Sequence, residues 1–145
     1  MKKKSSSKRK AILFCTYCSG AKRKGEKRLP AIKRYISSRI LAVYQASKRE
    51  GALFSILSGE FGLIGPWTKI PYYDHLLKSS EVTNLIPQMV KYLQDIECPA
   101  VHFYHDSLQV DAAIKPYLSA ITRACRRASV PLLMIELSLP QRIAK

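Results

Sequence analysis

Acidic residues are scarce in this chain: ten Asp and Glu stand against 25 Lys and Arg over 145 residues, a formal charge of +15 at pH 7. A field of that sign disfavours cationic partners and favours polyanions. Long apolar runs are missing too. No stretch approaches the roughly 20 consecutive apolar residues that a membrane-spanning helix needs, which excludes such a span. The apolar run at 11–14 is cut off by Cys15, Thr16 and Tyr17, too early for the hydrophobic region of a secretory signal, so the cytoplasm is the expected location. The four cysteines, Cys15, Cys18, Cys98 and Cys125, are too few for a disulfide scaffold in a domain of this size. Cys15 and Cys18 form the one close pair, but no second Cys-x-x-Cys or Cys-x-x-His follows to complete a zinc site. Alternation along a strand also turns its members to different faces. Packed thiols are the simpler reading, and no metal or cofactor is implied.

Three phosphate- and acyl-handling signatures are absent as well. Gly20 and Gly25 do not stand in P-loop spacing, no dinucleotide fingerprint follows the first strand, and Ser58 lacks the Gly-x-Ser-x-Gly elbow of a serine hydrolase. His102, on an apolar strand, reads as a core histidine.

What is present suits one compact domain. The composition is 47% hydrophobic, and a chain of this length buries about two-thirds of its unfolded surface. Residues 1–10, MKKKSSSKRK, form a low-complexity basic tail that is expected to be disordered, leaving 11–145 as the single α/β domain. Of the 25 basic side chains, 11 lie in the first 28 residues, against Glu26 alone. Lys8, Arg9 and Lys10 in the tail, with Lys22, Arg23 and Lys24 beyond it, are therefore candidate contacts to DNA or RNA; solubility is the alternative role for the tail.

Four apolar runs alternate with three helical patterns. Strands are expected at 11–17, 52–57, 100–104 and 132–137, and helices at 30–50, 82–96 and 111–128. The first helix opens on Pro30 and stops at Gly51. Its Lys33, Arg34, Arg39, Lys48 and Arg49 read as a solvated basic face. Pro87 marks a break or kink in the second helix. The order β-α-β-α-β-α-β with right-handed crossovers predicts a small Rossmann-like three-layer sandwich with a mainly parallel sheet of about four strands.

Two strand-end segments carry the candidate chemistry. After the first strand, Ser19, Gly20 and Lys22 offer backbone N–H groups and a cation to an anion. After the second, residues 58–75 read SGEFGLIGPWTKIPYYDH, a composition that packing alone would not produce. Here Ser58, Gly59 and Gly62 would line a cleft, Tyr72 and Asp74 would orient a base or sugar, and Trp67, Tyr72 and Tyr73 offer stacking faces. Glu60 and Asp74 are the candidate catalytic carboxylates if the protein is an enzyme on a nucleoside-like substrate. Asp74-His75 and His105-Asp106 would form a proton-transfer pair if they met over the sheet.

Ser19, Ala21 and Lys22, followed by Ser58, Gly59, Phe61, Gly62, Leu63, Pro66, Ile70, Pro71 and Tyr72, resemble the two motif segments of the YaaA-like proteins. That family is associated with peroxide stress and DNA protection. The resemblance covers under half the chain and implies a cytoplasmic α/β domain whose two loops form one cleft. The chain departs from the family by its shorter length, by Gly20 after Ser19, and by Tyr73-Asp74 after Pro71-Tyr72. The combined expectation is a nucleic-acid- or nucleotide-binding protein, with N-glycosidic cleavage or base transfer as the alternative.

Overall fold

The computed structural model describes residues 10–137, so Lys8, Arg9 and the rest of the expected basic tail through residue 9 lie outside the described residues. Apolar β-branched and aromatic runs build the centre. Strands β1 (Leu13–Tyr17), β3 (Leu53–Ser58), β6 (Val101–His105) and β7 (Leu132–Glu136) are parallel, and β4 (Gly62–Ile64) adds an antiparallel edge. The sheet order is β4-β3-β1-β6-β7, five strands where about four were expected. The extra strand arises inside the long loop. Three residues turn the chain so that Ser58 pairs with Gly62 and Leu57 with Leu63, and Gln88 holds the returning strand by bonding both N and O of Leu63.

Helix α1 (Ala31–Arg34) is a single turn, α2 (Ser38–Glu50) crosses from β1 to β3, and α3 (Val82–Ile96) and α4 (Lys115–Ala128) follow β4 and β6. One helix was expected over 30–50, but Tyr35 leaves the helix to bridge Lys22, and Ser37 opens α2 by accepting from the N–H of Ile40. Gly51 closes α2 with φ +70, the left-handed conformation a glycine cap supplies without strain. Pro87 sits within an unbroken α3.

Each crossover helix turns an apolar stripe to the sheet: Ile40 and Val43 from α2, Leu85, Ile86, Met89 and Leu93 from α3, Tyr117, Ile121 and Ala124 from α4. The connection through α2 and those through α3 and α4 cross the sheet in opposite directions, and the right-handed rule for such crossovers puts α2 on one face and the mutually packed α3 and α4 on the other, the three-layer Rossmann-like arrangement. A small antiparallel pair, β2 (Leu29–Pro30) and β5 (Lys69–Ile70), stands beside the main sheet. Among the described residues no helix is long and apolar enough to cross a membrane.

Candidate functional site

From β1 the chain moves to β3 and β4 on one side and then crosses back to place β6 on the other side of β1, and at such a switch point the loops beyond the strand ends part to leave a crevice. A cleft of about 240 Å³ opens there. The turn after β1 contributes Ser19, Gly20 and Lys22, and α2 contributes Arg39. The connection after β5 contributes Asp74, His75 and Leu76, and the region around the start of α4 supplies Asp111 and Tyr117.

Arg39 organises the floor. Its side chain is 8% exposed and was expected on a solvated face. Instead its guanidinium lies 3.6 Å from the centroid of the Tyr17 ring and donates to Thr16 Oγ1 at 2.8 Å and to the Tyr17 carbonyl at 2.6 Å. Asp106 supplies the counter-charge, with Oδ2 3.9 Å from Arg39 Nε and 3.2 Å from the Tyr17 hydroxyl that donates to it. Burial pushes the Tyr17 hydroxyl up to about 12, so it stays a donor at neutral pH, with the nearby Arg39 charge pulling the other way. A guanidinium that both stacks and hydrogen-bonds fixes the strand-end turn more firmly than an ammonium would.

Tyr117 closes the inner wall. Its hydroxyl accepts from the N–H of Leu77 at 3.2 Å and meets Cys18 Sγ at 3.6 Å, and burial holds its pKa well above the usual tyrosine value. Of the carboxylates at the cleft, Asp111 is used locally, accepting from the N–H of Ala113 at 3.1 Å. Asp74 is exposed and has no hydrogen-bond or ion-pair partner among the described residues. Lys22 stands at the rim with Nζ 4.4 Å above the Tyr73 ring.

The glycine-rich segment supports this cleft from behind. Ser58 is wholly buried, accepts from the N–H groups of Glu60 and Phe61, and shares a 3.0 Å bond with the Tyr73 hydroxyl. Tyr73 in turn shares a 2.5 Å bond with Tyr35. A Cβ on Gly59 would come within 2.9 Å of the Tyr117 hydroxyl and 3.2 Å of the Leu77 nitrogen, which explains the glycine by close approach. Gly62 has φ +79 and lies against Gln88. Ser58, Gly59 and Gly62 therefore fasten the hairpin and do not line the cleft.

The other sequence candidates disperse. Tyr72 is exposed and outside the cleft wall, and Glu60 is held by His75, whose Nδ1 lies 2.6 Å from Glu60 Oε1. His75 Nε2 lies 2.9 Å from Glu81 Oε1, so one imidazole bridges two carboxylates. The expected meeting of Asp74-His75 with His105-Asp106 does not form. His105 Nδ1 is 2.7 Å from the Asp106 carbonyl, while the Asp106 carboxylate serves Arg39 and Tyr17. Lys10 is paired with Glu97 at 2.9 Å, at the opposite end of β1 from the cleft. Arg23 and Lys24 are exposed beside Lys22.

Sequence reasoning missed Tyr117, expected Arg39 on a solvated face and placed Asp106 in a proton-transfer pair, when both are parts of the cleft floor. Thr16 and Tyr17, polar groups ending an otherwise apolar strand, were the available signal that buried partners were needed. The four cysteines are buried and free, and among the described residues no three His, Cys, Asp or Glu side chains gather as a metal site requires.

The fold and cleft define a small Rossmann-like α/β domain with a strand-end site. No family model matches the chain, and no curated protein matches it. Among solved structures, a mutant creatininase superposes with a TM-score of 0.44 at 11% sequence identity, covering 92% of this chain and 55% of that one. This chain thus spans little more than half the length of that protein.

Proposed function

We propose that the strand-end cleft binds a small anionic ligand of nucleotide type. The carrying observation is the cleft's mixed wall, in which Lys22 and Arg39 face the same space as the unpartnered carboxylate of Asp74. The rim cation suits a phosphate, a free carboxylate accepts from sugar hydroxyls or a base edge, and Tyr17 and Tyr117 supply apolar surface between them. At about 240 Å³ the open cleft lies near the small end of the range for small-molecule pockets, far from the scale of a duplex.

Calorimetric titration with nucleoside monophosphates and the matching nucleosides tests the reading. Lys22→Ala is expected to weaken the monophosphate and leave the nucleoside nearly unaffected, with stability near wild type because the side chain is at the surface. Equal affinities for wild type and Lys22→Ala would remove Lys22 from the site.

The same free carboxylate supports a second reading, an enzyme cleaving or exchanging the N-glycosidic bond of a nucleoside-like substrate. Asp74 would act there as base or nucleophile. Glu60 fits that role less well because His75 occupies its carboxylate. Turnover abolished by Asp74→Asn and retained by Glu60→Gln would establish it. Absence of product across a nucleoside and nucleotide panel would leave binding alone.

A further inference from the structure

Beside the cleft, residues 20–36 and 65–70 form a lobe around the β2–β5 pair, and we propose that this lobe binds single-stranded nucleic acid with Trp67 as its stacking platform. The inference goes beyond the cleft reading and requires nothing of the cleft's own ligand.

The first observation is a strong excess of positive charge, with Glu26 as the one acidic residue in these segments. Arg23, Lys24, Lys27, Arg28, Lys33 and Lys69 are all exposed, and none of them takes part in an ion pair among the described residues. Mutual repulsion among six such cations opposes their assembly, and a polyanion relieves it.

The second is that the backbone beneath these cations is built. Arg34, wholly buried, donates to the carbonyls of Arg23, Lys27 and Ile70. Arg28 donates to the Lys69 carbonyl at 3.2 Å, and Arg23 Nε to the Lys33 carbonyl at 3.3 Å. A buried guanidinium answered by carbonyls, with no carboxylate, is expensive to retain. Here it ties three strands of chain together and adds its own positive charge under the surface. Its Nε is buried with no partner.

The third is Trp67. It is 58% exposed, sits on a turn closed by the Thr68 N–H bonding the Gly65 carbonyl at 3.3 Å, and has Lys33 Nζ 5.9 Å from its ring centroid. A held, solvent-facing indole among cations pairs a π face with phosphate-neutralising charge, the combination that receives unpaired bases. A duplex keeps its base faces stacked and has no use for the indole, so the single strand is favoured.

The test uses the full chain with a labelled twelve-nucleotide oligothymidylate, the corresponding duplex, inorganic polyphosphate and polyglutamate. Trp67 is the sole tryptophan, so emission reports on it directly. Expected are saturable quenching by the oligothymidylate and little quenching by polyphosphate. Trp67→Ala should weaken the oligonucleotide by about fivefold or more while sparing polyphosphate. The combined Arg23→Ala, Lys27→Ala and Arg28→Ala variant should lower the salt slope of single-strand binding by about 2. Oligonucleotide binding without quenching, duplex binding as tight as single strand, equal quenching by polyglutamate, or unchanged affinity and salt slope in both variants would each overturn the proposal. Adenosine monophosphate binding retained in the triple variant separates the two sites. Its absence in wild type, with oligonucleotide quenching intact, would refute the cleft reading alone.

Discussion

The guanidinium of Arg39 lies 3.6 Å from the centroid of the Tyr17 ring, joining the first turn of α2 to the end of the central strand at the floor of the cleft. The Tyr17 hydroxyl and Arg39 both meet Asp106, so helix, central strand and the end of β6 are tied at one point. Removing the cation would leave the buried Asp106 carboxylate without the Arg39 charge that faces it. Arg39→Met is therefore expected to cost about 3–5 kcal/mol, read by urea denaturation, with Arg39→Lys retaining part of that. A loss below about 1 kcal/mol for Arg39→Met would show that this cluster contributes little.

His75 gives the cleft a pH dependence. Hydrogen bonds to Glu81 first and Glu60 second raise its pKa above the ordinary 6.5. Because the folded value is the higher one, the stabilisation is fully present below 6.5 and is lost as pH rises through the folded value. Melting curves from pH 6 to 9 should show a decline that His75→Gln abolishes. Glu60→Gln should move the imidazole titration, followed by proton NMR, toward 6.5. A wild-type decline identical in His75→Gln would place its source elsewhere.

Gly59→Ala should destabilise the fold by about 1–3 kcal/mol, because the new methyl meets the Tyr117 hydroxyl and the Leu77 backbone. Thermal denaturation checks this. A neutral result would show that the 71–77 segment yields easily, and with it the cleft wall.

Ser129 closes α4 with φ 59, a conformation that costs a non-glycine residue stability. Ser129→Gly is expected to stabilise by about 1 kcal/mol, seen as a raised urea midpoint with unchanged slope. A lowered midpoint would mean that the serine makes a favourable contribution outweighing its backbone strain.

The strand–helix alternation was readable because the parallel strands are near-continuous apolar runs: β1 and β3 are buried along almost their whole length, and Leu132 onward keeps the same apolar composition although β7 is a half-exposed edge strand. The break at Tyr35 was not readable: its cause is the bridge to Lys22, a contact made across a loop. β4 was hidden because three residues are too few to show alternation, and its anchor, Gln88, belongs to a helix that follows later in the chain. Arg34 and Arg39 were misread for one reason. A basic residue on a helix is ordinarily solvated, and only the carbonyls and the Tyr17 ring brought by other segments make burial possible. Of the site itself, Ser19, Gly20, Lys22 and Asp74 were legible as strand-end groups. Ser58 and Gly59, equally conspicuous, support the wall from behind.

The most direct test of the cleft's role is an amide NMR titration of the full chain with adenosine monophosphate. Saturable shifts confined to Ser19, Gly20, Lys22, Leu76 and Asp111, and weakened by both Lys22→Ala and Asp74→Asn, are the predicted result. Shifts that avoid these residues, or none at millimolar ligand, would contradict a nucleotide site at the end of β1.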